Sequence, residues 1–263
     1  MSRDSFRLHQ GTVPLLISFP HCGTALPDGL AERFTPVARA LDDTDWLLPE
    51  LYDFAEEIGS STIVPRYSRY VIDLNRPPND SSLYPGRRGT ALVPVADFFE
   101  RPIYAGAVPD AQECAARLET YWQPYHAALQ AELQRLKAVH GKVLLWDAHS
   151  IRNVVPSLFD GVLPDLNIGS ADGAAAAPAI VNAMAAVAGT SPFSTIVNGR
   201  FKGGYITRAY GAPETNIHAV QLEMSKSLYL TESVPPSLDA AKAPVLAKLL
   251  RAMIAAVLAA LTN

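Results

Sequence analysis

Residues 142–150 read KVLLWDAHS, and the fold class turns on this stretch. Its first six residues form a short apolar, β-rich run that predicts a strand. Immediately upstream, the 109–139 segment carries Leu118, Tyr121, Trp122, Tyr125, Leu129 and Leu133 at three- and four-residue intervals, and Gly141 closes it. That is the spacing of an amphipathic helix with a glycine stop. A long helix feeding a buried strand is the repeating unit of a layered α/β protein, and the pattern recurs along the chain. Strands are predicted at VPLLISF (13–19), STIVP (61–65), YVIDLN (70–75), KVLLWD (142–147), STIVNG (194–199) and IHAVQLEM (217–224). Helical patterns cover 46–58, 109–139, 173–187 and 238–261. The expected architecture is α/β: a mixed, mostly parallel central sheet with helices on both faces. Neither an internal repeat nor a Gly/Ser-rich linker divides the chain, so residues 1–263 are expected to form one domain.

Composition narrows the function. With 22 Lys+Arg against 26 Asp+Glu, the net charge of −4 argues against a nucleic-acid binder, which needs a basic excess. Two cysteines cannot build a disulfide framework or a cysteine zinc site. The N-terminal twenty residues, interrupted by Pro14 and Pro20, lack a signal-peptide core, and the apolar run 253–261 is too short to span a bilayer. A cytoplasmic protein with no membrane partner is expected. Sixteen of the 22 basic residues are Arg, and five of them (Arg66, Arg69, Arg76, Arg87, Arg88) fall in one stretch devoid of Lys. Arg offers a rigid fork that fits carboxylates.

Open α/β sheets bind ligands beyond the carboxyl ends of their strands. Here those ends are polar: Pro20-His21-Cys22-Gly23 follows one strand, Ala148-His149-Ser150 another, and Glu223 interrupts a third. Neutral imidazole is the commonest side-chain metal ligand, and Asp147 stands near His149 to fix its tautomer. A hydrolytic zinc site takes three protein ligands and an open position for water. Asp45 of DDTDW is the candidate third ligand with Asp43 in reserve, although aspartates before a helix also serve as caps. Glu223 is costly inside an apolar strand unless paired or beside a metal. It reads either as the general base for a metal-bound water or as a structural partner of Arg208 or Lys226. The third constellation is cationic: Arg66, Arg69, Asn75 and Arg76 on one side, Arg200, Lys202, Tyr205, Thr207 and Arg208 around a Gly pair on the other. It suits a loop closing on an anion, whereas Arg87 and Arg88 read best as a solvated charge run. Serine chemistry is poorly supported: no G-x-S-x-G elbow occurs, and Ser150 would point away from His149 on an extended segment. No Walker or G-x-G-x-x-G loop is present either.

Six stretches in this order, SFPHCGTALP (18–27), LDDTDWLLPELYDFA (41–55), RYVIDLNRPPNDSSLYPG (69–86), DAHSIRNVVPSLFDGVLPDLNIG (147–169), NGRFKGGYITRAYG (198–211) and HAVQLEMS (218–225), closely resemble the N-formylglutamate amidohydrolase family. The resemblance spans about residues 12–230. It implies a metal-dependent deformylase that releases formate and L-glutamate from N-formyl-L-glutamate at the end of one histidine-degradation route. It also implies a fold similar to the zinc carboxypeptidases and aspartoacylase. By position, His21 and His149 then match the two histidine ligands, Asn75-Arg76 the substrate-carboxylate binder and Glu223 the base. Arg69, Arg200, Tyr205, Thr207 and Arg208 join the substrate-binding set. One departure stands out: Thr24 occupies the place of the relatives' carboxylate ligand, and Asp45 or Asp43 is expected to replace it. The metal is expected to be zinc, although cobalt, iron and manganese accept the same ligands. The expected partner is a small dicarboxylate. An N-acyl amino-acid deacylase of other acyl preference and a non-catalytic binder of acidic ligands are the competing readings.

Overall fold

A computed structural model describes residues 5–82 and 89–262. Seven strands form one sheet: β1 (Phe6–His9), β2 (Leu15–Ser18), β3 (Ser61–Pro65), β4 (Val143–Ile151), β5 (Leu166–Gly169), β6 (Thr195–Val197) and β7 (Ile217–Ser225). The helices are α1 (Leu30–Arg33), α2 (Leu48–Leu51), α3 (Ala111–Arg117), α4 (Gln123–His140), α5 (Pro178–Ala188), α6 (Tyr205–Tyr210) and α7 (Lys242–Thr262). The strand order is β1-β3-β2-β4-β7-β5-β6. Strands β3, β2, β4 and β7 run parallel, β5 and β6 are parallel to each other, and antiparallel pairs join β1 to β3 and β5 to β7. The expected mixed, mostly parallel α/β sheet is therefore what the chain builds.

Both long central strands are buried along all nine residues, as strands covered on two faces must be. Parity sorts their side chains. Leu144, Trp146 and Ala148, with Val220, Leu222 and Met224, pack beneath α2, α5 and α7. Val143, Leu145, Ile217 and Ala219 pack on the other side against α4 and α6. Helix α7 is long and apolar enough to cross a membrane by length and composition alone. Here, however, its Leu246, Leu250, Met253, Ile254, Val257 and Leu261 lie buried in the first of these layers, as the stripe of an amphipathic helix does.

The chain departs from the sequence expectations in five places. YVIDLN is not a strand: residues 70–75 are wholly buried, but they run as turns and coil outside the sheet. Arg76 and then two prolines follow, and turn bonds together with side-chain donors and acceptors, rather than a strand ladder, satisfy the backbone of this segment. The 46–58 helix is only α2 plus one 3₁₀ turn over Asp53–Ala55. Strands β1 (FRLH) and β5 (LNIG) were not expected, neither being an apolar β-branched run, and α6 forms where a loop was expected.

The order of the strands fixes the site. From β2 the chain steps outward to β3 and then returns to place β4 on the other flank of β2. The reversal leaves a crevice beyond the carboxyl ends of β2 and β4, the usual ligand position in such sheets.

Candidate active site

His21 lies three residues beyond β2 and His149 near the end of β4, so the switch point brings them together. Asp45 reaches the same spot from the loop before α2, anchored by its backbone N–H donating to the His21 carbonyl at 3.0 Å. His149 Nδ1 lies 3.2 Å from His21 Nδ1 and 3.3 Å from Asp45 Oδ2, and His21 Nδ1 lies 3.7 Å from that oxygen. All three residues are buried. Asp43 is elsewhere: its Oδ2 accepts from the Phe98 N–H at 3.0 Å. Of the two aspartates considered, Asp45 is the one that joins the histidines.

The outer nitrogens are held by acids. His21 Nε2 meets Asp73 Oδ1 at 2.7 Å, and His149 Nε2 meets Asp147 Oδ2 at 3.1 Å. Carboxylates only accept, so they draw the ring protons to Nε2 and aim both Nδ1 lone pairs at Asp45. Asn75 Nδ2 donates to Asp147 Oδ2 at 3.3 Å; with His149 Nε2 protonated, the 3.0 Å between that nitrogen and Asn75 Nδ2 sets two donors side by side, both turned to the Asp147 carboxylate. Two lone pairs and an anion facing one another repel unless a shared proton or a cation sits between them. Four ligands at tetrahedral corners about 2.0–2.1 Å from zinc stand roughly 3.3 Å apart. The observed 3.2, 3.3 and 3.7 Å match that spacing, so the donor set fits a divalent metal.

Charges follow the same logic. Burial opposes ionisation of Asp45, but His149 and His21 outweigh it and hold the carboxyl well below its usual range. Burial likewise works against Asp73, and the Arg69 guanidinium and His21 overcome it. Burial disfavours the charged His149 ring, while Asp147 and Asp45 pull its affinity for a proton well up. Glu223 behaves differently. It is the cross-strand partner of His149 on β7, on the same face of the sheet. Burial pushes its carboxyl up to about 8, with His149 opposing and Asp45 adding. Among the described residues no hydrogen bond or ion pair ties down its oxygens, so the structural pairing with Arg208 or Lys226 is not seen; Lys226 donates to the Asp42 carbonyl instead.

Above these groups lies a cavity of about 80 Å³ whose walls include Arg69, Arg76, Arg200, Asn75, Gln221 and Glu223. Arg69 is fixed by Asp73 at 2.6 Å and lies 4.7 Å over the Phe98 ring. Arg76 donates to Thr90 Oγ1, and Arg200 to the Leu158 carbonyl. Asn75 lines the cavity, but its amide is already engaged: Oδ1 accepts from the Ile206 N–H at 2.8 Å. Three expected contacts do not line the cavity. Tyr205 packs on Trp122 and His126, Thr207 is buried with its hydroxyl 3.4 Å from Asp147 Oδ2, and Arg208 donates to the Gly203 carbonyl. The helical turn of α6 explains this, because it turns these side chains away from the Gly203-Gly204 approach. Ser150 points to the opposite face, onto the Tyr229 hydroxyl at 2.7 Å, as strand parity requires. Arg87 and Arg88 lie outside the described residues.

Asp73 and Gln221 are site residues that the sequence reading did not single out. An acid embedded in YVIDL carries the same signal as Glu223 in VQLEM, a carboxylate too costly to bury without a task. Gln221 gives no comparable signal; only the register of β7 brings it beside Asp147.

An α/β sheet with two acid-backed histidines and a third carboxylate at its switch point, under an arginine-lined cavity, defines an enzyme of hydrolase type. The family model described as N-formylglutamate amidohydrolase matches residues 13–230. An N-formylglutamate deformylase of Pseudomonas aeruginosa is 52% identical over 228 residues, covering 86% of this chain and 85% of that protein. One from Pseudomonas putida is 48% identical over 229 residues, with the same coverage of both. The crystal structure of N-formylglutamate amidohydrolase from Ralstonia eutropha JMP134 superposes with a TM-score of 0.81 at 22% identity, over 98% of this chain and 97% of that one. The chain belongs to the N-formylglutamate amidohydrolase family.

Proposed function

We propose that this protein hydrolyses the formamide bond of N-formyl-L-glutamate to formate and L-glutamate, with a divalent metal ion, zinc by preference, held by His21, Asp45 and His149. The convergence of two Nδ1 lone pairs and one carboxylate oxygen beneath an arginine-lined cavity carries this reading, together with family membership over residues 13–230. A bound zinc would supply Lewis acidity toward the formyl oxygen and acidify water in its open position. Three protein ligands leave that position free.

The chain's own groups supply the rest. Glu223 stands beside His149 without a partner that would neutralise it, so its carboxylate is available to take a proton from water and return it to the departing glutamate nitrogen. Its raised proton affinity suits that exchange, and a nearby cation would draw it back toward ionisation. Arg69, Arg76 and Arg200 face the cavity and provide the cationic walls that two substrate carboxylates need. Asp73 and Asp147 hold both imidazoles in the ligating tautomer. The reaction belongs at the end of a histidine-degradation route, in the cytoplasm.

The test is turnover of a panel of N-formyl, N-acetyl and N-succinyl glutamates, with formate release followed directly. Dominant hydrolysis of the formyl compound, lost on chelation and restored by zinc, supports the proposal. Preference for a larger acyl group, or full activity in the chelated protein, defeats it.

A further inference from the structure

The segment that carries Asp73, Asn75 and Arg76 has no strand neighbours, yet it must hold still for His21 and His149 to keep their orientation. Three of its carbonyls are caught by side chains from a single helical stretch, while those of Asp73 and Asn75 accept from the Arg76 and Tyr205 backbone N–H groups. Arg117 Nη1 donates to the Val71 carbonyl at 2.9 Å, His126 Nε2 lies 2.8 Å from the Leu74 carbonyl, and Trp122 Nε1 donates to the Arg76 carbonyl at 3.0 Å. A carbonyl only accepts, so His126 Nε2 carries its proton. Asn75 and Arg76 are thus bracketed, with the peptide before Asn75 and the peptide after Arg76 each tied to one ring N–H.

The spacing of these three donors is unusual for a helix. Five residues at about 100° each would set Trp122 roughly 140° away from Arg117 around an α-helix. Between α3 and α4, however, Leu118–Trp122 forms a π-turn, with the Gln123 N–H bonding back to the Leu118 carbonyl. The π-turn absorbs one extra residue and reduces the separation to roughly 40°. His126, four residues further on, then follows Trp122 on the same face. The two ring centroids lie 3.7 Å apart, and Tyr210 of α6 lies nearly parallel to His126, its hydroxyl 2.9 Å from Nδ1. Both donors are therefore locked by packing as well as by their bonds.

We propose that Trp122 and His126, aligned by the π-turn, are positioning residues for Asn75 and Arg76: they act on the site only through the backbone of residues 74–76. The effect on turnover rests on the deformylase reading; the effect on the backbone does not.

The test compares His126→Leu, His126→Gln and Trp122→Phe in the full chain. Amide exchange is measured over residues 70–78 and over β4 and β7, together with kcat and KM for N-formyl-L-glutamate and metal content. In His126→Leu the amides of Asp73, Asn75 and Arg76 should exchange at least tenfold faster while β4 and β7 stay protected. KM should rise about tenfold with metal content retained. Glutamine, which can still donate to the Leu74 carbonyl, should recover most of both effects, and Trp122→Phe should reproduce the loss in part. Unchanged exchange at residues 73–76, equal acceleration across the sheet, or no recovery by glutamine would overturn the proposal. If the wild-type protein does not hydrolyse N-formyl-L-glutamate, the exchange comparison still decides the inference, and it is the functional reading that fails.

Discussion

At the scale of single residues, the site is a set of acids with different tasks assigned by their neighbours. Asp73 and Asp147 orient imidazoles, Asp45 faces both Nδ1 atoms, and Glu223 alone keeps its oxygens unengaged among the described residues. Glu223→Gln removes the proton acceptor while preserving shape; kcat should fall 10²–10⁴-fold with metal content unchanged, as elemental analysis would show. Asp147→Asn leaves His149 Nε2 without its carboxylate support, and loss of such a support weakens metal binding about 10–100-fold. Competition titration with a chelator would measure it, and kcat of the fully loaded variant should change less than the affinity. His21, His149 and Glu223 were legible in the sequence because each breaks or ends an apolar strand. Asp73 was equally exposed to that argument. The choice of Asp45 over Asp43 was not legible, since only the loop's path sends Asp43 to the Phe98 N–H.

Elements place these residues, and strand parity does much of the work. Successive odd positions of β4 and β7 change from Val143, Leu145, Ile217 and Ala219 to Asp147, His149, Gln221 and Glu223, so one face passes from core to site within a strand. That much follows from a period of two. The alternation in YVIDLN carries the same signature, yet the segment stays outside the sheet, because the decision depends on donors 46 to 52 residues away in sequence. The Gly pair before α6 was read as flexibility for closure. Its second member instead permits contact: a Cβ on Gly204 would stand 2.4 Å from Asn75 Nδ2. With φ of −79°, Gly204 is needed for space rather than for backbone conformation. Gly204→Ala should displace the Asn75 amide and lower kcat/KM at least tenfold, with little change in the far-ultraviolet circular dichroism. Wild-type kinetics in that variant would show that the contact does not matter.

For the whole molecule, buried groups couple stability to pH. His126 is buried against Trp122 and Tyr210, and burial lowers its proton affinity to about 4, although the Leu74 carbonyl and Asp147 pull the other way. In the unfolded chain it titrates near 6.5. Between those values the unfolded state binds more protons, so stability rises with pH and is lost as pH falls through the window. From pH 7 to pH 5 the expected contribution is a loss of about 2 kcal/mol. Denaturant unfolding of wild type and His126→Gln at both pH values isolates it, because the other titrating groups are common to the two proteins. The glutamine variant should lose about 2 kcal/mol less over that interval, and parallel losses would remove His126 as a source of acid sensitivity.

The net charge of the chain says little about its ligand, whereas the topology says a great deal. A sheet that reverses its strand order between β2 and β4 leaves one crevice at their carboxyl ends, and His21 and His149 stand at that crevice. The claim that this pair and Asp45 hold a divalent ion is tested most directly by anomalous diffraction from crystals of the protein loaded with zinc. The expected result is a single strong peak about 2.0–2.2 Å from His21 Nδ1, His149 Nδ1 and an Asp45 oxygen. An empty position there in a catalytically active protein, or an ion bound by a different set of residues, would contradict the account.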